Sequence, residues 1–402
     1  MFSNRGSQYV ERIIPALLSD HVQQRSPDGI QLIDLSTAEN KLMHDWTSRI
    51  IRSSVSDVKT EELSLRTDIG GSQACRTALA SFFNTHLGPL REVQPSQVVI
   101  TPGASVALDA LIRNICNPGD AVLIATPYWS GLDISVAIQN EAQVIRVDVP
   151  LDEVFDVSVV DRYRQALVSS SVPVRAILVT NPHNPLGRCF PKEVLEALIQ
   201  FCLDGNLHYI SDEVYATSTH HSREEWKNHT HAPYHPFISA LSLVSPDSAA
   251  SKLVHVVYSL SKDFGVSGLR IGALITQSNH NLRMACALVT HAQVSSLTAI
   301  AATSLLSPDI LFKFLQENKS RIRSAYNEIR DWLSARKIQY ISANAGLYIF
   351  VRLCDSDDEK AEKALEEQIA RVGPGWFRLV FTLEAEKMRE SLNRLDGVLR
   401  GL

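Results

Sequence analysis

The stretch Tyr258–Gly272, YSLSKDFGVSGLRIG, decides the reading of this chain. It follows Leu253-Val254-His255-Val256-Val257, an apolar, β-branched run that predicts a buried strand. The strand runs out into Ser259-Leu260-Ser261-Lys262. Poor solvation and nearby cations lower an amine's pKa, and a neutral amine condenses with an aldehyde. Two small hydroxyls precede Lys262, and Arg270 follows eight residues later. Gly265, Gly268 and Gly272 permit tight turns and close backbone approach. Hydroxyls, loop amides and an arginine together suit a dianionic phosphate. An aldehyde-reactive lysine beside a phosphate site is what pyridoxal phosphate (PLP) requires. From spacing alone, the same residues also fit a solvated lysine and arginine flanking a turn.

Working outward, other strand ends carry candidate ligands. Val98-Val99-Ile100 runs into Thr101-Pro102-Gly103-Ala104-Ser105 and then an apolar-periodic helix to Ile115. The free amides of that helix's first turn suit a phosphate. Strand 121–125 ends at Thr126-Pro127-Tyr128-Trp129, where an aromatic face can stack on a cofactor ring or plug the core. A strand from Arg175 to Val179 meets Thr180-Asn181-Pro182-His183-Asn184-Pro185-Leu186-Gly187, a turn stiffened by two prolines. Pro191 opens a helix to Leu203, and the strand Leu207–Ser211 enters Asp212-Glu213-Val214-Tyr215. A carboxylate at a buried strand end needs a cationic partner, and a protonated pyridine nitrogen is one.

The alternation of strands and helices from about 50 to 280 predicts an α/β fold: a large domain with a mainly parallel, doubly wound sheet. Candidate ligands at 103, 129, 184, 212 and 262 all follow predicted strands, as expected of sites at carboxyl ends. Both chain ends are expected to build a smaller α/β domain, with boundaries 1–45, 46–284 and 285–402. At the N-terminal end the reading is a helix over Tyr9–Leu18, a strand over Ile30–Leu35 and the segment Ser36–Leu42. At the other end it is a long helix over Leu311–Leu333, strands over Ala345–Val351 and Pro374–Phe381, and a charged helix over Asp355–Ala370.

SLSKDFGVSGLRIG resembles the PLP-lysine signature of class I/II aminotransferases, specifically the 1-aminocyclopropane-1-carboxylate (ACC) synthase-like branch. The resemblance spans nearly the whole chain. It implies PLP fold type I and a homodimer with shared active sites. It also implies roles: the cofactor-bearing lysine for Lys262, and phosphate contacts for Ser259, Ser261 and Arg270, beside the Gly103-Ala104-Ser105 turn. It places ring stacking at Trp129, with Tyr128 second. It gives Asn184 and Tyr215 to the 3′-oxygen, Asp212 to the ring nitrogen, and Arg378, in PGWFR, to the substrate α-carboxylate. The segment Ala38-Glu39-Asn40 resembles one that lies over the substrate pocket, so Glu39 is a candidate for a substrate ammonium or γ-substituent; it also reads as a solvated loop carboxylate.

Two departures stand out. The family tyrosine that crosses to the neighbouring subunit aligns with Ile69, which donates no hydrogen bond. The strand and loop that usually precede PGWFR are replaced by an almost direct passage from Ala370–Gly373 to Pro374. This leaves either an open pocket or an incomplete small domain. Amino transfer is the first expectation, carbon–sulfur or related elimination the second, and ACC synthesis the third. A PLP-binding protein with degenerate activity is the alternative of another class.

Composition bounds the rest. The 402 residues carry net charge −5 with 45% hydrophobic residues, which gives no electrostatic case for nucleic acid or an anionic membrane. No apolar run approaches membrane-spanning length. The N-terminus lacks a signal-peptide core. Six scattered cysteines without a CxxC pair suggest reduced thiols. A cytoplasmic location is the expectation. The histidines at 220, 221, 229, 231 and 235 have no zinc-site spacing, so no metal is expected.

Overall fold

The computed structural model describes residues 2–3, 6–7, 9–14, 33–56, 58–64, 68–221, 234–354, 370–373 and 375–401. Seven strands form the first sheet: β1 Val98–Thr101, β2 Ala121–Ala125, β3 Gln143–Val147, β4 Val174–Thr180, β5 His208–Asp212, β6 Val254–Ser259 and β7 Gly272–Ile275. Their spatial order is β1-β7-β6-β5-β4-β2-β3. Strands β3, β2, β4, β5 and β6 pair in parallel. β7 is antiparallel to both its neighbours, β1 and β6. The runs VVIT, AVLIA and VHVVYS are buried almost throughout, as a sheet covered on both faces requires. One apolar cluster on it includes Leu123, Ile177, Tyr209 and Val256; another includes Val122, Leu178, Ile210 and Val257. These are the alternating residues of the same strands, so each strand feeds both faces.

Because β1 and β6 flank β7 in opposite sense, their carboxyl ends lie side by side around its first residue. Gly272 is in register with both Thr101 and Ser259. The Lys262 turn and the Gly103 turn therefore emerge next to one another. They are very close: a Cβ on Gly272 would lie 2.5 Å from the Gly103 carbonyl carbon and 2.8 Å from Ala104 N. Only glycine fits there.

A second sheet is antiparallel, with order β10-β11-β9-β8, from β8 Gln339–Ile341, β9 Tyr348–Arg352, β10 Ala370–Gly373 and β11 Trp376–Val380. Its core joins Leu35 and Ala38 from the N-terminal part to Leu347, Ile349, Phe377 and Leu379, and to Met388, Leu392 and Leu395 of the last helix. The helix Pro308–Ala335 serves both cores. Leu311 and Phe314 belong to the first, whereas Ile322, Tyr326, Ile329 and Leu333 belong to the second.

Several expectations change. β10 corrects the reading of a missing strand before PGWFR: three of its four residues pair with β11, with a register shift between Arg371 and Gly373, and Gly375 (φ 70°) lies in the turn between the strands. The strand expected over Ile30–Leu35 is not formed at 33–35; Leu35 contributes a single carbonyl to Val380 N, 3.0 Å away. Its first residues, 30–32, lie outside the described residues, as do Pro374 and 355–369 of the charged helix. At the N-terminus a helical turn forms at Tyr9–Ile13, and 15–18 of the expected helix lie outside the described residues. β8 had no forecast, because Gln-Tyr-Ile is too short and mixed to show a period. Among the described residues no single helix is long and apolar enough to cross a membrane. Among them, too, no group of three or more His, Cys, Asp or Glu is placed to hold a metal.

The Gly272 contact gives a direct test. Gly272→Ala should lose about 1–3 kcal/mol through forced backbone movement. Gly268→Ala, where an added Cβ meets nothing within 4 Å, should stay within about 0.5 kcal/mol of wild type. Denaturant melts of the two variants should separate accordingly.

Candidate active site

The Lys262 turn is a single helical turn, Leu260–Asp263, capped by Ser259, whose Oγ accepts from Ser261 N at 3.1 Å. Ser259 Oγ also donates to Ile271 O at 2.9 Å and lies 2.8 Å from Ser261 Oγ. Ser259 thus spends its hydroxyl on the turn itself, and Ser261 shares in that bond. Arg270 adopts a left-handed conformation (φ 52°) and bridges the two turns. It donates to Ser267 O at 3.0 Å and to Pro102 O at 3.1 Å. Its guanidinium lies where a side chain on Gly103 would be, and Gly103 itself has φ 87°. Gly103 then caps the helix Ala104–Ile115, whose first intrahelical bond runs from Ala107 N to Gly103 O. The amides of Ala104, Ser105 and Val106 precede that bond, and Ser105 is exposed. Hydroxyl, guanidinium and helix start converge there, an arrangement suited to a phosphate.

Lys262 Nζ donates to Ala38 O at 2.5 Å, across 224 residues of sequence. Burial lowers its pKa to about 8; Arg378 and Arg270 act in the same direction, while Glu39 and Asp212 oppose them. Those four charged groups and the amine therefore share one electrostatic neighbourhood. Asp212, at the end of β5, is buried, and burial raises its pKa to about 6. Thr180 Oγ1 and Val214 N lie 3.4 Å from its two oxygens, and Lys262 favours its charge. This is a carboxylate held with weak partners, and a further cation beside it would be stabilised.

Arg378 on β11 is 7% exposed. It donates to Asn184 Oδ1 at 2.9 Å and Ser36 O at 2.6 Å, and it sits over the Tyr348 ring at 5.2 Å. Its Nε has no hydrogen-bond partner among the described residues. An unpaired buried donor on a guanidinium invites an anion. Tyr215 is buried edge-on to Tyr348, centroids 5.4 Å apart; burial raises its pKa, while Arg378 favours the ionised form. Asn184, Tyr215, Arg378, Asp212, Glu39 and Lys262 are thus brought together.

Trp129 stands apart from this group. It is 40% exposed, and its ring lies over Gly131, where an added Cβ would collide with it. Tyr128 turns away, with its hydroxyl 2.7 Å from Asp133 Oδ1 and accepting from Arg146 Nε at 3.1 Å. Ile69 is 53% exposed, beside Asp68 and Gly71, which line a cleft of about 450 Å³ with Leu63, Ser295 and Leu297. Sequence reasoning missed Thr180, Tyr348, and the carbonyls of Ser36 and Ala38. Thr180 had a signal, since it ends a strand directly before the Asn-Pro turn. A backbone carbonyl has none.

The lowered amine pKa can be measured. With the protein free of added cofactor, acylation of Lys262, mapped by peptide mass spectrometry, should rise through about pH 8. An exposed lysine in the same digest should rise near pH 10.4, as ordinary lysines do. Lys262 reacting with the ordinary profile would remove the shielding inferred here.

Known proteins resemble this chain over most of its length. The model of the family "Aminotransferase class I and II" matches residues 30–395. The probable aminotransferase sirI of Leptosphaeria maculans is 41% identical, over 99% of this chain and 98% of its own length. The 1-aminocyclopropane-1-carboxylate synthase 7 of Arabidopsis thaliana is 28% identical, over 92% and 86%. A Thermus thermophilus aspartate aminotransferase mutant shares the fold, with TM-score 0.79 at 22% identity, over 99% of both chains. With a buried, activated lysine at a strand end and a family match over nearly its whole length, this chain belongs to the class I and II aminotransferases.

Proposed function

We propose that the chain is a PLP-dependent enzyme that transfers the amino group of an α-amino acid, with Lys262 as the residue that carries the cofactor. The observation that carries this reading is the buried Lys262 amine, lowered to about pH 8, facing Asp212 and Arg378. The residues present fit PLP. Because Gly103 has no side chain, the Arg270 guanidinium lies directly against the start of the helix Ala104–Ile115. Ser261, Arg270 and the Ala104–Ser105 amides would hold the phosphate, with Ser259 supporting the turn. Asp212 would hold the ring nitrogen protonated, Asn184 and Tyr215 would flank the 3′-oxygen, and Trp129 would cover the ring after its exposed side chain turns inward. Bound PLP supplies an electron sink for the charge left at Cα.

The chain's own residues do the rest. Arg378 would grip the α-carboxylate through a bidentate fork, using the donor that lacks a partner. Lys262 Nζ would take the Cα proton as general base and return it to complete the transfer. Its pKa near 8 leaves it a substantial neutral fraction near neutral pH. Glu39, whose charge acts on the amine against that of Arg378, would face a substrate ammonium or side-chain substituent. Ile69 disfavours ring closure to ACC, since it cannot replace a tyrosine hydroxyl. Exposed Leu63, Ile69 and Leu297 around the cleft support a homodimer whose second copy covers them.

Three measurements test the reading. Borohydride treatment of protein incubated with PLP should fix the cofactor on Lys262; a label on another lysine, or none, removes the assignment. Incubation with an amino-acid panel that includes cysteine conjugates and S-adenosylmethionine, together with a 2-oxo acid as amino acceptor and with products read by mass spectrometry, should yield the donor's 2-oxo acid and the acceptor's amino acid. Products of carbon–sulfur cleavage would replace amino transfer by elimination. In titrations followed by the visible spectrum, Arg378→Ala should weaken amino-acid binding about thirty-fold or more, since a buried charge pair loses roughly 2–5 kcal/mol when one partner goes. Arg378→Lys should recover little of it.

A further inference from the structure

The residue after Lys262 is a carboxylate with no access to solvent. Asp263 closes the turn Leu260–Asp263 and is fully buried. Its Oδ2 accepts from the Tyr258 hydroxyl at 2.8 Å and from Thr217 N at 3.0 Å; its Oδ1 accepts from the Ser218 hydroxyl at 2.6 Å. Tyr258 is on β6. Thr217 and Ser218 follow Tyr215 in the segment that leaves β5. The carboxylate therefore ties the lysine turn to the tyrosine segment.

The main chain of the same residue makes a second tie. Asp263 O accepts from Asn318 Nδ2 at 2.9 Å, and Asn318 Oδ1 accepts from Asn40 Nδ2 at 2.7 Å. Both asparagines are fully buried, and Asn318 lies on the helix that serves both cores. Asn40 is two residues from Ala38, whose carbonyl receives Lys262 Nζ. Gly265 lies against the Asn40 carbonyl. Segments 215–218 and 258–263 thus meet at Asp263, and Asn318 relays its carbonyl to the segment 38–40.

A wholly buried carboxylate is costly, and burial raises this one to about 6 despite its donors. The strand it follows does not need it, since β6 is already paired on both sides. The charges that act most on the Lys262 amine are those of Arg378, Glu39, Asp212 and Arg270. What Asp263 supplies is therefore geometry more than field.

We propose that Asp263 is the positioning residue of this site: its carboxylate and its carbonyl fix the Lys262 amine against the Tyr215 segment and the Ala38–Asn40 segment, and so set the amine's reactivity. The proposal rests on Lys262 being the reactive amine. Asp263→Asn keeps the shape but removes the charge and turns one acceptor oxygen into an NH2, so either Thr217 N–H loses its acceptor or the Ser218 or Tyr258 hydroxyl must turn to accept.

The test is Lys262 acylation against pH in protein without added cofactor, together with steady-state kinetics of the loaded enzyme. In Asp263→Asn the labelling midpoint should rise about one unit or more towards the ordinary lysine value, as the loosened amine gains solvent. Turnover should fall about ten-fold or more with the amino-acid KM within about three-fold, because misplacement of a reacting group is felt in the chemical step. Ser218→Ala should shift both in the same direction by less, and should add nothing in the Asp263→Asn background. Asp263→Asn that is folded, with wild-type labelling and turnover, would overturn the proposal. So would wild-type labelling in both Ser218→Ala and Asn318→Ala, should Asp263→Asn fail to fold. A wild-type chain that takes up no PLP at Lys262 would instead overturn the assigned function, and the cofactor-free labelling comparison would still decide the role of Asp263.

Discussion

The close approach of two turns around Gly272 is the constraint on which the site depends. Strand β7 runs against its neighbours, so the strands on either side of it deliver their carboxyl ends to a single glycine. The Gly103 backbone then fits within 2.5 Å of where a Gly272 side chain would begin. Arg270 closes the gap from above, holding the carbonyl of Pro102. Two segments 168 positions apart, joined by the Arg270–Pro102 bond, come together because neither Gly103 nor Gly272 presents a Cβ to the other turn. The amine side begins at this junction, since Ser259, which caps the lysine turn, is in register with Gly272.

Across from it, the small sheet supplies the opposite charge preference. Arg378 reaches Asn184 on the loop after β4, and the Ala38 carbonyl receives the lysine amine. Both chain ends therefore meet the products of the central strands. The amine feels two carboxylates and two guanidiniums, and burial is the largest influence, lowering its pKa to about 8. The same burial favours protonation of Asp212, which is why a cationic ring beside it is a stabilising addition.

Much of this was legible in the sequence, and the gaps have physical reasons. The strand-to-turn transition before Lys262 is marked by a β-branched run, small hydroxyls and glycines, each with its own conformational cause. Asp212 was legible because a charge at the end of an apolar run must have a partner, and Arg378, in mid-strand, only through the resemblance carried by PGWFR. The direction of β7 was not, since Gly-Ala-Leu-Ile reads the same in either sense. β10 was missed because four residues of mixed character carry no period, and its pairing is visible only once β11 is in place. Ala38 was unreadable as the partner of Lys262, since any residue has the same carbonyl. The Ile69 departure stands in the structure as an exposed apolar side chain.

The helix Pro308–Ala335 has a consequence for how the molecule comes apart. Its 28 residues make a rod of roughly 42 Å at the usual rise per residue. Its first turns are set in one apolar core and its later turns in the other, with Asn318 bonded between them. Melting either core strips one end of the rod of its packing, and a helix without a packed face is marginal in water. The two cores are thereby coupled through a shared piece of secondary structure. Amide hydrogens near the middle of this helix would exchange only when both cores open, making them the slowest reporters of whole-chain unfolding.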